Sequence, residues 1–178
     1  ILSKLKYAVE GIAENMDAYD TQKACKYVEE FFEVLNNWYI RRSRERFWRT
    51  TEYLEDEDKR QAYNTLYTCL INISKAGAPL LPYLFEEVYT GLTDSESVHL
   101  ACFPELAMVQ DDPQLAKSMD RVRDICNAGL AVRNRENIRT RQPLSSATCY
   151  FEDSSKLKGY EWIIEDELNV KQVNLSDE

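Results

Sequence analysis

The sequence predicts a mainly α-helical protein: a helical bundle followed by a small α/β appendage at the C-terminal end. The 178 residues include only five glycines and five prolines, too few for a fold with many tight turns. Apolar side chains recur at three- and four-residue steps along most of the chain, which is typical of helices with one buried face. After Gln142–Pro143 the apolar residues alternate in short segments instead, and this pattern indicates strands.

The expected helices are bounded by capping residues and prolines. Asp20 precedes the second helix, and Asp112 with Pro113 precedes the last one, at positions where such residues favour a helix start. Pro79 and Pro82 separate the third helix from a short fourth one. In chain order, the expected helices cover about 1–17, 20–50, 59–76, 82–91 and 113–138.

The third helix and the appendage have further expected features. Period-3.6 spacing predicts that the third helix buries one stripe of residues, Tyr63, Leu66, Tyr67, Leu70 and Ile73. In the appendage we expect strands over 147–151 and 169–174 with a helix over 155–167 between them. The expected domains are therefore a helical bundle over 1–143 and the start of an α/β region over 144–178.

The charge is unevenly distributed. The chain carries 31 acidic and 22 basic residues, a net charge of −9, which taken alone argues against a nucleic-acid partner. Two segments run against this balance, and we name them the first basic island (38–49, WYIRRSRERFWR) and the second basic island (133–141, RNRENIRTR). An acidic body with two arginine-rich islands has surfaces that can attract a polyanion locally.

The sequence gives little support for metal, disulfide or membrane functions. The five cysteines are scattered and form no CxxC pair, so we expect free thiols in a reducing cytoplasm. No apolar run approaches the roughly 18 residues of a membrane helix, and no secretory signal is visible. The single histidine, His99, is expected to be structural.

Arginines continue the apolar stripe of the second helix. Arg42 and Arg46 lie on the side of that stripe, so we predict structural ion pairs for both. The carboxylates considered as their partners are Asp17, Asp20 and Glu86. Contact of the remaining arginines of this island with RNA, or with another protein surface, stays an open alternative at this stage.

Several strings resemble the isoleucyl branch of the class I aminoacyl-tRNA synthetases. The most specific is NNWYIRRSRERFW (36–48), which is similar to a helix of those enzymes. GAPLLPYLFEEVYTGL (77–92), followed by SVHLACFPE (97–105), resembles a pattern shared with the valyl and leucyl enzymes. RNRENIRTRQPL (133–144) is similar to a helix that ends in an Arg-Gln-Pro-Leu corner. The resemblance covers nearly the whole chain.

The resemblance implies an anticodon-binding helical domain that belongs to a longer synthetase. Its implied role is to position tRNA(Ile) for ATP-dependent aminoacylation by a catalytic domain outside this chain. The sequence contains neither a HIGH nor a KMSKS signature, so we expect no catalytic residues and no cofactor here, with ATP and magnesium used by that catalytic domain. The implied partners are tRNA(Ile) and the catalytic and editing domains of the same protein, in the cytoplasm.

Motif position and expected exposure select the candidate RNA contacts. Arginines would hold phosphates, while aromatic and amide side chains would stack on or bond to unpaired bases. The candidates are Arg41, Arg44, Trp48, Arg49, Arg139, Arg141 and Gln142.

Three other interpretations remain open from the sequence. The Trp38–Trp48 face could dock onto the catalytic domain instead of RNA. The chain could also be a helical protein–protein interaction module that uses its acidic body and arginine islands. A self-contained metalloenzyme built on Glu29, Glu30 and Glu33 is disfavoured, because no Glu-x-x-His pair completes a di-iron pattern.

Overall fold

The computed structural model describes residues 1–53, 55–151 and 154–177 of the chain. It confirms the predicted mainly helical architecture with a small two-stranded parallel sheet near the C-terminus. The chain divides into two compact units, Ile1–Asp111 and Asp112–Glu178. The domain boundary at 143–144 stays a prediction, and the long helix that follows Asp112 packs within the second unit.

The first unit is built from helices that pack around one apolar core. The helices α1 and α2 pack against each other, and α1 and α5 both pack against α4. The largest fully buried side chains of this core include Leu5, Ile12, Leu35, Ile73 and Phe85. The helix bounds are α1 Leu2–Asp17, α2 Thr21–Val34, α3 Arg44–Trp48, α4 Glu57–Gly77 and α5 Pro82–Leu92.

Aspartate side chains cap three of the helices. The carboxylate of Asp20 accepts a hydrogen bond from the backbone N–H of Lys23 at 3.0 Å, which satisfies a free donor at the start of α2. Asp56 does the same for α4, and Asp112 does it for the long helix of the second unit. The N-caps predicted at Asp20 and Asp112 are thereby confirmed.

The second predicted helix is interrupted, although the sequence predicts it as continuous over 20–50. After α2 the chain continues as a wider, π-helical segment, Leu35–Ile40, and it then turns at Ser43 before α3. A π-helical turn inserts an extra residue into the helical repeat and so rotates everything that follows. The face assigned to residues after Ile40 from a uniform 3.6 period is therefore displaced.

The buried face of α4 also differs from the predicted one. The helix buries Ala62, Cys69, Ile73 and Ala76 instead of a stripe of large side chains. Tyr63 and Tyr67 are exposed, and only Ile73 of the predicted stripe is fully buried. Small residues let the neighbouring helices approach α4 closely, and the two tyrosines line an open groove beside Leu70 and Leu92.

The second unit contains a long helix and a β-α-β segment. The strands β1 and β2 pair in parallel, with Ala147 opposite Val173 and Tyr150 opposite Ser176. Strand β1 forms where it is predicted and ends one residue earlier, whereas β2 begins four residues later than predicted. The helices and strands of the second unit are α6 Pro113–Arg135, β1 Ala147–Tyr150, α7 Glu161–Leu168 and β2 Val173–Ser176.

The helix predicted over 155–167 forms as two shorter pieces. A 3-10 turn over Ser154–Leu157 precedes α7, and Gly159 between them has a positive φ of 95°, which breaks the helix. Helix α7 packs against α6, where Leu168 lies directly over Gly129. No helix in the described part of the chain is long and apolar enough to cross a membrane.

Candidate nucleic-acid interface

The first basic island lies on the interrupted helix of the first unit. Nε of Arg41 donates a hydrogen bond at 2.9 Å to the carbonyl oxygen of Asn37, which lies in the π-helical segment. Ser43 is buried at the turn, and the hydroxyl of Tyr39 donates a bond to the carbonyl of Ala62 on α4 at 3.2 Å. The bond from Tyr39 holds the island against α4, and the side chains of Arg41, Arg44 and Arg49 are exposed.

An aromatic series fixes the short helix α3 against α4. The ring of Phe47 meets Tyr63 edge to face at a centroid distance of 5.0 Å, and Tyr63 meets Tyr53 in the same way at 6.0 Å. Edge-to-face pairs of this kind add to the stabilisation from burial. The end of the island is therefore anchored although α3 has only five residues.

Arg46 forms a structural ion pair with the beginning of α4. Its guanidinium donates from Nε to Oδ1 of Asp58 at 2.9 Å and also reaches the carbonyl oxygen of Asp58 at 3.1 Å. The predicted partners of this arginine are wrong. Asp20 is instead bound to Lys23, and Glu86 accepts hydrogen bonds from Ser97 and Val98.

Arg42 lies over an aromatic ring. The centre of its guanidinium is 5.5 Å from the ring centroid of Trp38, four residues earlier on the same helical turn. A cation over the face of an indole ring is stabilised by the ring's quadrupole. Both side chains remain half-exposed.

Arg49 is held by two carboxylates. Its Nη1 lies 3.4 Å from Asp56 and 3.1 Å from Asp58. The pKa of Asp56 is lowered to about 2, first by the backbone N–H of Lys59 and the hydroxyl of Thr51, and to a smaller extent by Arg49. The positive charge of Arg49 is thus largely balanced within the protein, unlike that of Arg44.

Arg44 and Trp48 are the open members of the first island. The side chain of Arg44 is exposed and has no ion pair or hydrogen bond within the described residues. Trp48, one turn later, is 74% exposed, which is unusual for so large an apolar side chain. An exposed guanidinium one helical turn from an exposed indole ring is suited to a phosphate and a stacked base.

The second basic island ends in an exposed corner of the second unit. Arg139, Arg141 and Gln142 all have exposed side chains in the irregular segment between α6 and β1. Within the island, Arg135 is exposed and pairs with its neighbour Glu136 at 3.0 Å. The structure therefore places three of the seven predicted contacts together in this corner.

Arg133 is the residue of the second island that sequence reasoning missed. It counted only toward the island's charge, yet the structure buries it so that 4% of its surface remains exposed. Its guanidinium donates hydrogen bonds to the carbonyl oxygens of Arg139, Gln142, Leu168 and Asn169. An arginine in the last turn of a helix is a signal for contacts with carbonyl groups. The burial of Arg133, however, depends on how α7 packs against α6, and the sequence does not reveal that packing.

The remaining candidate side chains of the sequence are those that could serve in a metal or thiol site of the described segments. Within residues 1–53, 55–151 and 154–177 no group of three or more His, Cys, Asp or Glu side chains could hold a metal ion. His99 is exposed, and its backbone N–H bonds to Ser97. Burial raises the pKa of the Cys69 thiol to about 12, so this cysteine is neutral at physiological pH.

Comparison with known families identifies the domain that carries these islands. The family described as the anticodon-binding domain of tRNA ligase matches residues 1–148, a range that includes both islands and the corner. This chain belongs to that family of anticodon-binding domains. The resemblance drawn from NNWYIRRSRERFW and RNRENIRTRQPL is thereby confirmed.

Relatives of this anticodon-binding domain are named as isoleucine–tRNA ligases. The protein of that name from Rickettsia bellii (strain OSU 85-389) is 46% identical over the whole of this chain, which covers 18% of it. The one from Wolbachia pipientis wMel is 44% identical over 98% of this chain and 18% of its own length. A third, from Rickettsia prowazekii (strain Madrid E), is 43% identical over the whole chain. The chain thus spans about a fifth of the length of these relatives.

Proposed function

We propose that this domain binds tRNA(Ile) on its anticodon side and positions it for aminoacylation by the rest of an isoleucine–tRNA ligase. The observation that carries the proposal is the family match over residues 1–148, because it places both basic islands inside an anticodon-binding domain. Relatives that are named isoleucine–tRNA ligases support isoleucine as the amino acid, and therefore tRNA(Ile) as the proposed partner. ATP and magnesium act in the catalytic part of the longer protein, and this domain contributes binding and orientation.

The contacts divide into two kinds under this proposal. Arg41 and Arg44 of the first island, and Arg139 and Arg141 of the second, hold phosphates, which fixes the register of the RNA. Trp48 and Gln142 lie next to these cations and contact unpaired bases by stacking and by hydrogen bonding. Arg49 takes part more weakly, since Asp56 and Asp58 already balance its charge.

The experiment that tests the proposal compares two charge-matched double variants. Arg41→Glu with Arg44→Glu reverses two cations of the first island, while Lys26→Glu with Lys158→Glu makes the same charge change at exposed sites outside both islands. Affinity for tRNA(Ile) and for a tRNA of another specificity is measured with each protein. We expect the island variant to lose at least about tenfold in affinity for tRNA(Ile), because two phosphate contacts become repulsive. The control variant should lose much less.

Two results would contradict the proposal. An equal loss in both variants would mean that net charge, and not the island, determines binding. Absence of binding to either tRNA at low salt would favour the alternative that the domain is a helical protein–protein interaction module. A net charge of −9 with an exposed Trp48 is the observation behind that alternative.

A further inference from the structure

One buried guanidinium connects two separate loops of the second unit. Nε of Arg133 donates to the carbonyl oxygen of Leu168 at 2.9 Å, and Nη2 donates to those of Gln142 at 2.8 Å and Asn169 at 3.1 Å. Nη1 donates to the carbonyl oxygen of Arg139 at 3.3 Å. All four acceptors are backbone carbonyls, and they come from two segments about 30 residues apart in the sequence.

The C-terminal end of α7 supplies part of the negative charge that this buried cation requires. Arg133 lies in the last turn of α6, and Leu168 is the last residue of α7. The carbonyl groups at a helix C-terminus have no partner within the helix and together carry a partial negative charge. The end of α7 supplies two of the four acceptors, the carbonyls of Leu168 and Asn169, and the corner after α6 supplies the other two, those of Arg139 and Gln142. Together these carbonyls solvate the charge.

The corner over residues 139–142 depends on these bonds for its position. All four of its residues have exposed side chains, so no apolar burial anchors the segment. Its other links are also polar: Nδ2 of Asn169 donates to the carbonyl oxygen of Thr140 at 2.9 Å, and the N–H of Leu144 donates to that of Asn169 at 3.1 Å. Asn169 has a left-handed backbone, with φ at 49°, which turns its carbonyl toward Arg133.

We propose that Arg133 is a positioning residue of the RNA-binding surface, which fixes the main chain of residues 139–142 so that Arg139, Arg141 and Gln142 face the RNA in one arrangement. The inference rests on the proposed function and adds a residue that touches no RNA itself. Ordering the corner before binding removes part of the entropy cost that long side chains on a loose loop would impose.

The proposal requires an arginine and not merely a positive charge at position 133. A guanidinium is a planar fork with five N–H donors, and it can reach carbonyls of two segments at once. A lysine at this position keeps the charge but offers one compact ammonium group, which cannot span the same acceptors. Arg133→Lys is therefore the informative substitution, and Arg135→Lys, two residues on and exposed, is its control.

The first readout is hydrogen exchange of backbone amides. We expect Arg133→Lys to speed the exchange of the Gln142 and Leu144 amides, while amides of β1 and the middle of α6 keep their protection and the helix content is unchanged. Arg135→Lys should leave all of these rates unchanged. If Arg133→Lys fails to fold, Asn169→Gly loosens the same corner and still allows the positive φ, so faster exchange is expected there as well.

The second readout is a double-mutant cycle on RNA affinity. Arg133→Lys should lower the affinity for tRNA(Ile) about tenfold in the otherwise unchanged chain. Its effect should be much smaller when Arg139→Gln and Arg141→Gln are already present, because Gln142 is then the only one left of the three side chains that it positions. In a chain with Arg41→Gln and Arg44→Gln the loss should remain about tenfold.

The outcomes separate this inference from the proposed function. Unchanged exchange in the corner, or an equal loss of affinity in both double-variant backgrounds, would overturn the positioning role even if the chain binds tRNA. Failure of the unsubstituted chain to bind any tRNA would overturn the proposed function. In that case the exchange experiment would still decide whether Arg133 orders the corner.

Discussion

The arginines of the two islands carry the same charge but have different environments. Arg133 is buried among carbonyl groups, Arg46 pairs with Asp58, Arg42 lies over Trp38, and Arg44 is exposed. The cost of removing an arginine therefore depends on what its guanidinium contacts. Substitution of a paired arginine lowers the free energy of unfolding, whereas substitution of an exposed one affects only the binding of other molecules.

The contrast between Arg46 and Arg44 can be measured. We expect Arg46→Gln to lower the free energy of unfolding of the first unit by about 1 kcal/mol, because Asp58 loses a charged hydrogen-bond partner at a half-buried site. Arg44→Gln should change it by less than about 0.5 kcal/mol. Urea unfolding of the two variants provides the comparison. Equal destabilisation would show that Arg46 is not a structural residue.

The sequence predicted an ion pair at Arg46 but not its partner. Asp58 follows after a turn of irregular structure, and no periodicity relates it to the second helix. The special role of Arg133 was hidden for a similar reason, since its acceptors at Leu168 and Asn169 lie about 35 residues away. Residue types identified the islands, while tertiary packing decided which members are buried.

At the scale of elements, the junction of α4 and α5 requires a residue without a side chain, Gly77. Gly77 ends α4, and a Cβ atom there would collide with the ring of Phe85, which is fully buried on α5. We expect Gly77→Ala to destabilise the first unit by about 1–3 kcal/mol, the usual cost of overpacking.

Gly91 is the matched control for that substitution. It also lies in a helix, α5, but no atom is within 4 Å of a Cβ built on it. Gly91→Ala should therefore be neutral or stabilise by up to about 1 kcal/mol, because alanine favours the helix. Thermal unfolding distinguishes the two, and similar midpoints would contradict the described contact between Gly77 and Phe85.

The lowered pKa of Asp56, which caps α4, predicts that the stability of the first unit depends on pH. The pKa of Asp56 is lowered from 3.8 to about 2, mainly by the N–H of Lys59 and the hydroxyl of Thr51. A lowered carboxyl pKa contributes stability that is present above the unfolded value and is lost as pH falls through the folded value. Here that window lies between about pH 4 and pH 2.

Asp56→Asn tests this dependence because it keeps an oxygen acceptor and removes the charge. We expect its melting temperature to lie below that of the unsubstituted chain at neutral pH, and the difference to shrink as pH falls from about 4 to about 2. Glu52→Gln, an exposed change in the preceding loop, serves as control. A difference that stays constant down to about pH 2 would contradict the stated role of Asp56.

The order and approximate positions of the helices could be predicted, but their number and several of their buried faces could not. Apolar spacing and the caps at Asp20 and Asp112 located the helices. The π-helical segment Leu35–Ile40 has no signature in a 3.6-residue period. The bond from Tyr39 to Ala62 in this segment is a tertiary contact, which the sequence does not reveal. Similarly, Tyr63 and Tyr67 have the periodicity of core residues, yet small residues such as Ala62 and Cys69 form the face against which the helices pack.

For the whole molecule, the central feature is an acidic chain with basic islands in both compact units. The first island lies in Ile1–Asp111 and the second in Asp112–Glu178. Since the net charge is −9, the body repels a polyanion beyond the islands, and any attraction must come from a few local phosphate contacts. The number of those contacts is a measurable quantity.

The salt dependence of tRNA binding is the most direct test of the proposal that arginines of both islands bind phosphates of tRNA(Ile). The affinity of the 178-residue chain for tRNA(Ile) would be followed between about 50 mM and about 200 mM salt, with a tRNA of another specificity alongside. About four phosphate contacts, from Arg41, Arg44, Arg139 and Arg141, predict a slope of roughly −3 to −4 on a log–log plot, together with a preference for tRNA(Ile). A slope near zero, or no binding at the lower salt concentration, would contradict it.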